Sequence, residues 1–228
     1  MVGGLAALLS RRGRVCGDCD CGGGGGAVGL GVGGALMASE GRVAGLRIAL
    51  QGIEPLIWRR VAVPTAMTLS DVHRVIQAVM GWLDYHLWHF EVGERRYAMR
   101  VAGESEWNEL YEDAGRMTLG ALLDSGLRRM EYVYDMGDFW EHSIIVEKVG
   151  APEPKAKYPQ FLGGERRCPP EDCGSVPGYY EFLENITSAE PAERKSALDW
   201  YGGPYDAEDI DELKIVRALG KIARGRAS

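Results

Sequence analysis

The chain has 228 residues, 46% of them apolar and 26% charged, with a formal net charge of −7. That is an ordinary globular composition, long enough for one large domain or two small ones. No run of about 18 apolar residues occurs, which excludes a transmembrane helix. The apolar stretch Leu5 to Leu9 precedes Arg11, Arg12 and Arg14, the reverse of a signal peptide's order, so a cytoplasmic location is expected. The charge is uneven: from Glu171 to Glu212 twelve acidic residues face only Arg194 and Lys195, a local balance of −10. Such a segment repels a phosphate backbone, and a nucleic-acid role would depend on the arginine pairs Arg59-Arg60, Arg95-Arg96, Arg128-Arg129 and Arg166-Arg167.

Residues 1–44 read as a glycine-rich extension, with Gly22 to Gly26 unbroken and Gly29, Gly31, Gly33 and Gly34 following. So little side chain cannot offset the entropy of ordering, and disorder is expected. Gly29-x-Gly31-x-x-Gly34 matches a dinucleotide pattern formally, but no strand precedes it and no helix follows. The trio Cys16, Cys19 and Cys21 lacks the second pair of a structural zinc site. We expect Met37 to be the true start of translation, with the upstream stretch an over-extended reading frame.

From Val43 the pattern is ordered. Leu46, Ile48 and Leu50 alternate with Arg47, Ala49 and Gln51 as a half-buried strand, and Ile57 to Val63 forms a second before Pro64. Ser70 is the expected N-cap of a helix that buries Val72, Val75, Ile76, Val79, Met80 and Leu83. Strands are predicted at His86 to Val92 and Tyr97 to Val101, a polar loop at Glu104 to Ala114, and a short helix at Thr118 to Leu123. Met130 to Asp135 and Phe139 to Val149 make a second hairpin, where Gly137 is expected to supply a positive φ. Ala151 to Tyr158 reads as a proline- and lysine-rich linker or surface loop, and helices are predicted at Tyr179 to Ile186, Ala192 to Trp200 and Glu208 to Ala223. The last offers Leu213, Val216, Ala218, Leu219 and Ile222 as its apolar face. The fold class is α+β: a β-grasp-like mixed sheet with one main helix packed across it, plus a helical C-terminal part from about residue 178. Residues 45–228 are read as a single domain.

Several runs together resemble one family: Pro55-Leu56-Ile57-Trp58-Arg59-Arg60, Leu69 to Gln77, Gly81-Trp82, His86-Leu87-Trp88-His89-Phe90, Tyr134 to His142, Cys168 to Gly174, and Trp200 to Asp206. The chain is identified on these as similar to the plasmid pRiA4b ORF-3-like family over residues 46–213. The resemblance implies kinship with bacterial and archaeal proteins, some associated with insertion elements, and implies no activity. Two positions depart from the family pattern: Trp88, where a second histidine is frequent, and Ser175, where glycine is common.

The candidate groove comprises Trp58, His86, His89, Asp135, Asp138, Trp140, His142, Glu171 and Asp172. These supply nitrogen and oxygen donors beside aromatic surface, with Pro169-Pro170 stiffening the loop that carries the last two. Each also has a plain structural account: aspartates in turns, His142 in a core, Glu171-Asp172 capping a helix. No nucleophile elbow, phosphate loop or HExxH run is present, so no catalytic residue and no cofactor are assigned. Three readings are open: a non-enzymatic binding module for a protein or peptide partner, a metal-dependent hydrolase using Asp138, His142 and Asp172, and a nucleic-acid accessory factor.

Overall fold

Strands β1 (Val43–Leu50) and β2 (Trp58–Pro64) form the first hairpin, with Leu46 opposite Val61 and Ile48 opposite Arg59. Leu46, Ile48 and Leu50 are fully buried, as the alternation requires. The computed structural model describes residues 41–225, all within the unit Ala35–Ser228. The polyglycine run, the dinucleotide-like pattern, the Cys16 trio and Met37 lie outside the described residues.

Helix α1 (Leu69–Met80) is capped two residues earlier than expected, by Thr68 and not Ser70. Thr68 accepts from the Asp71 backbone N–H while the Asp71 carboxylate accepts from that of Thr68, a reciprocal capping box. Gly81, at φ 90°, ends the helix. Leu83 therefore leaves the helical face on which it was expected and is 68% exposed.

Next come β3 (Trp88–Val92) and β4 (Arg95–Ala98), both shorter than the sequence pattern indicated. The segment read as a polar loop holds α2 (Ser105–Leu110) and β5 (Glu112–Asp113). Helix α3 (Leu119–Asp124) lies where a short helix is predicted and is capped by Thr118, whose side chain accepts from the Ala121 N–H. The second hairpin is β6 (Arg129–Tyr134) with β7 (Trp140–Gly150). Its left-handed residues are Asp135, at φ 63°, and Phe139, at φ 58°, while Gly137 is not among them. Asp135 tolerates that conformation because its Oδ1 accepts from the Gly137 N–H, an Asx turn that replaces the glycine solution.

Strand β8 (Gln160–Glu165) lies beyond the predicted loop, where no element is expected, since GlnPheLeuGlyGlyGlu shows neither an apolar run nor clean alternation. Among the described residues the sheet has eight strands in the order β5-β4-β3-β6-β7-β1-β2-β8. Only β4 with β5 is parallel, which makes the sheet mixed. The core lies between one sheet face and α1, built from Val72, Val75, Ile76 and Val79 against Leu46, Ile48, Val61, Phe90, Tyr132 and Ile144.

Helices α4 (Ser175–Thr187), α5 (Pro191–Tyr201) and α6 (Glu212–Gly225) complete the chain's described elements. Helix α6 packs on α1 and β8 through Ile215 and Leu219. Leu213 and Val216, expected on that buried face, are 70% and 50% exposed. The inward-facing stripe is Ile215, Leu219 and Ile222, at four-and-three spacing, which leaves Leu213 and Val216 off it. No helix of the described residues is long and apolar enough to cross a membrane.

Helix α4 begins against the loop before it: a Cβ on Gly178 would stand 1.9 Å from the Cys173 carbonyl oxygen. Gly178→Ala should therefore cost about 3 kcal/mol of stability, because only a backbone shift relieves the overlap. Gly220→Ala in α6, where the nearest atom is an Arg224 side-chain nitrogen at 3.6 Å, should be neutral or stabilise by roughly 0.5 kcal/mol. Urea unfolding of the two variants beside the parent protein checks both values.

Candidate functional site

Gly81 turns the chain sharply, and the residues beyond it are fastened one by one. The Trp82 indole N–H donates to the Pro169 carbonyl at 3.1 Å, and its ring stacks on Tyr134 at 4.9 Å. The Leu83 N–H donates to Glu171 Oε1 at 2.6 Å, and the Asp84 N–H to Gln77 Oε1 at 3.1 Å. The Tyr85 hydroxyl donates to Asp172 Oδ2 at 3.0 Å. On the far side of His86, the Leu87 carbonyl accepts from the Asp135 N–H at 2.9 Å. The imidazole is thus delivered by a loop held at both ends.

Around it the proline-stiffened loop and the second hairpin meet. His86 Nε2 lies 3.1 Å from Asp172 Oδ1, 3.5 Å from Asp135 Oδ2 and 3.9 Å from Glu171 Oε2. The 3.1 Å contact is short enough for an ion pair but lacks hydrogen-bond direction: Nε2 is enclosed and makes no hydrogen bond, and neither does Glu171 Oε2. Glu171 uses its other oxygen, Oε1, to accept from Leu83 and from the Tyr134 hydroxyl. Burial raises the pKa of the Glu171 carboxyl, opposed by those hydrogen bonds. Burial, and then the Glu171 charge, raises that of the Tyr134 phenol.

Glu171 is also one wall of a cavity of about 260 Å³ between the end of α1, the proline loop, α5 and α6. Trp82, Leu83, Trp200, Arg59, Arg167 and Lys214 share its lining.

Of the nine candidate residues, His86, Asp135, Glu171 and Asp172 converge. Asp138 stands next to them in the hairpin, accepting from the Gly174 N–H at 3.1 Å, and so ties the turn to the loop without joining the imidazole. Trp140 is 1% exposed in the core. His142 is fully buried between Trp82 and Tyr132, its Nδ1–H donating to the Tyr132 carbonyl at 3.2 Å. The set Asp138, His142 and Asp172 therefore does not form a metal centre, because the inward face of β7 seals the histidine behind aromatic rings. His89 sits on the opposite sheet face with Glu91 and Tyr111, as strand alternation dictates once His86 precedes the strand. Trp58 also faces away from α1, between the guanidinium groups of Arg47 and Arg60 at 5.5 Å each. Sequence reasoning missed Tyr85, whose adjacency to His86 was the available signal, and Tyr134, which only the strand pairing brings to Glu171.

The family model for plasmid pRiA4b ORF-3-like protein matches residues 42–214. An uncharacterised protein of Sinorhizobium fredii, y4hQ, is 36% identical over 185 residues, covering 79% of this chain and 92% of the relative. A crystal structure of a protein of unknown function from Methanosarcina mazei Go1, MM3350, is similar with a TM-score of 0.68 and 32% identity. It covers 75% of this chain and 96% of that one.

Burial depresses the His142 pKa from 6.5 to about 4. The unfolded chain therefore binds this proton first as pH falls, and the native state loses stability from about pH 6.5 down to pH 4, then levels. The loss attributable to this group is roughly 3 kcal/mol. His142→Phe should remove that portion of the acid dependence, leaving the contributions of His73 and His89, whose pKa values burial also lowers. Urea midpoints followed by tryptophan fluorescence at pH 7 and pH 4 check it; parallel losses in both proteins contradict it.

Proposed function

We propose that this chain, which belongs to the plasmid pRiA4b ORF-3-like family, is a non-enzymatic binding module. Its scaffold is read as a β-grasp-like sheet closed over α1, and its ligand as a peptide segment of a protein partner. One observation carries the reading: two large apolar side chains, Leu83 and Trp200, stand 68% and 54% exposed at a cavity whose other walls include Glu171 and Lys214. Exposed tryptophan beside a concave, mixed-polarity recess is the composition of an interface anchor. A cavity of about 260 Å³ has room for one or two side chains, not a folded domain. The peptide's apolar anchor packs between Leu83 and Trp200, and its polar backbone meets the charged walls.

Selection from a displayed random-peptide library on the full chain tests this. The expected outcome is a consensus with an apolar anchor. The double variant Leu83→Ser, Trp200→Ser should bind the selected peptides at least about tenfold more weakly while still unfolding in one cooperative transition. Failure to enrich any consensus, or equal binding by the double variant, overturns the reading.

A further inference from the structure

Three separate segments deliver ligand-type atoms to one point: the loop after α1, the turn of the second hairpin, and the loop after Pro170. We infer that His86, Asp135 and Asp172, with Glu171 beside them, form a site for a single divalent first-row transition-metal ion. This goes beyond the peptide reading, since the ion site and the cavity share only Glu171.

Spacing is the first argument. One atom from each of His86, Asp135 and Asp172 lies within 4.8 Å of the others, and His86 Nε2 stands 3.1 and 3.5 Å from the two aspartate oxygens. Ligands bound about 2.1 Å from one ion are separated by about 3 to 3.5 Å. The two histidine–aspartate pairs already have the separations of a coordination shell, and the two aspartates lie within 4.8 Å of each other.

Unmet polar demand is the second. His86 Nε2 and Glu171 Oε2 are enclosed without a hydrogen-bond partner, a costly state for buried polar atoms. The Asp135 side chain is 7% exposed, commits Oδ1 to the Gly137 N–H, and turns Oδ2 to the imidazole.

Charge is the third. Among the described residues no lysine or arginine pairs with Asp135, Glu171 or Asp172. One imidazole cannot offset three carboxylates, and its Nε2 makes no hydrogen bond to any of them. A divalent ion at the common point offsets two charges and uses the lone pairs of all the donors. One imidazole with carboxylate oxygens suits Zn²⁺ or Mn²⁺, while a thiophilic ion such as Cu⁺ finds no sulfur among these donors.

The test uses the full chain, stripped with a chelator and dialysed, then titrated calorimetrically with Zn²⁺ and with Mn²⁺, with thermal unfolding in parallel. The expected result is one ion per chain and a higher unfolding temperature in its presence. His86→Ala and Asp135→Asn should each weaken binding at least about tenfold, while their metal-free unfolding curves remain cooperative. His89→Ala, on the other sheet face, should bind as the parent does. Absence of saturable binding by either ion at about 1 mM overturns the proposal. So does binding that His86→Ala and Asp135→Asn leave unchanged, which would place the ions on the acidic surface at large. Loss of metal binding with peptide binding intact, or the reverse, tells which of the two readings has failed.

Discussion

The Arg59 guanidinium, 1% exposed, fixes the place where helix, edge strand and loop come together. Its Nε–H donates to the Val79 carbonyl in the last turn of α1, and Nη1 donates to the carbonyls of Trp58 and Glu165, each at 2.8 Å. The carbonyls at a helix C-terminus carry the negative end of its dipole and have no partner within the helix. They can therefore hold a buried cation without a carboxylate, although burial still lowers its pKa. The arrangement locks the end of α1 to the end of β8, and from those two points the chain runs to His86 and to Glu171 and Asp172. Gly164 belongs to the same device. A Cβ there would stand 2.7 Å from the Trp58 carbonyl oxygen and 2.8 Å from Arg59 Cδ.

A second polar device sets the angle of the loop that carries His86. Gln77 Nε2 donates to the Tyr132 hydroxyl at 3.1 Å, so the hydroxyl proton is free to go to His73 Nδ1, 2.7 Å away. That leaves the His73 proton on Nε2, where it meets Asp84 Oδ1 at 2.7 Å. Gln77 Oε1 meanwhile accepts from the Asp84 backbone. Asp84 is held at φ 61°, a conformation an aspartate adopts readily only with such local bonding. Stacking of His73 on Trp88 at 4.0 Å adds the apolar half of the contact. Helix α1 thus contributes more than a buried stripe: its polar side chains steer the turn leading to the site.

How much of this was legible in sequence depends on the range of the interactions. The first hairpin, α1, α3 and the second hairpin announce themselves through alternation, three-and-four spacing and caps, because each is specified within about a dozen residues. Residue type alone places the loop after Pro169-Pro170 and the second hairpin in one candidate groove, and four of the nine candidate residues converge. Strand β8 was invisible because its signal is a partner strand about a hundred residues away, not its own pattern. His142 was ambiguous because alternation gives a strand residue its face but not what lies above that face; here Trp82, brought back by the turn at Gly81, covers it. Tyr134 joins the site only through a strand pairing and a loop contact that no local pattern encodes.

Electrostatics separates the site from the rest of an acidic protein. The arginine doublets that could have served a phosphate backbone are largely engaged within the fold: Arg60 with Glu147, Arg95 with Glu112, Arg96 with Glu91, Arg129 with Glu131, Arg166 with Glu208 and Arg167 with Asp209. Individually such exposed pairs contribute little to stability. Collectively they neutralise both partners, so a nucleic acid would have to displace a carboxylate at nearly every contact. Arg166 and Arg167 also draw two carboxylates of the acidic stretch before α6 onto the end of β8, which offsets part of the local excess. Around His86 the opposite holds, for Asp135, Glu171 and Asp172 converge on one imidazole nitrogen, and no lysine or arginine among the described residues pairs with them. Carboxylates placed so close repel one another, and the backbone and tyrosine hydrogen bonds that hold them leave that repulsion in place. Where three segments of the chain meet, three carboxylates thus stand around one imidazole with no arginine or lysine paired to them among the described residues.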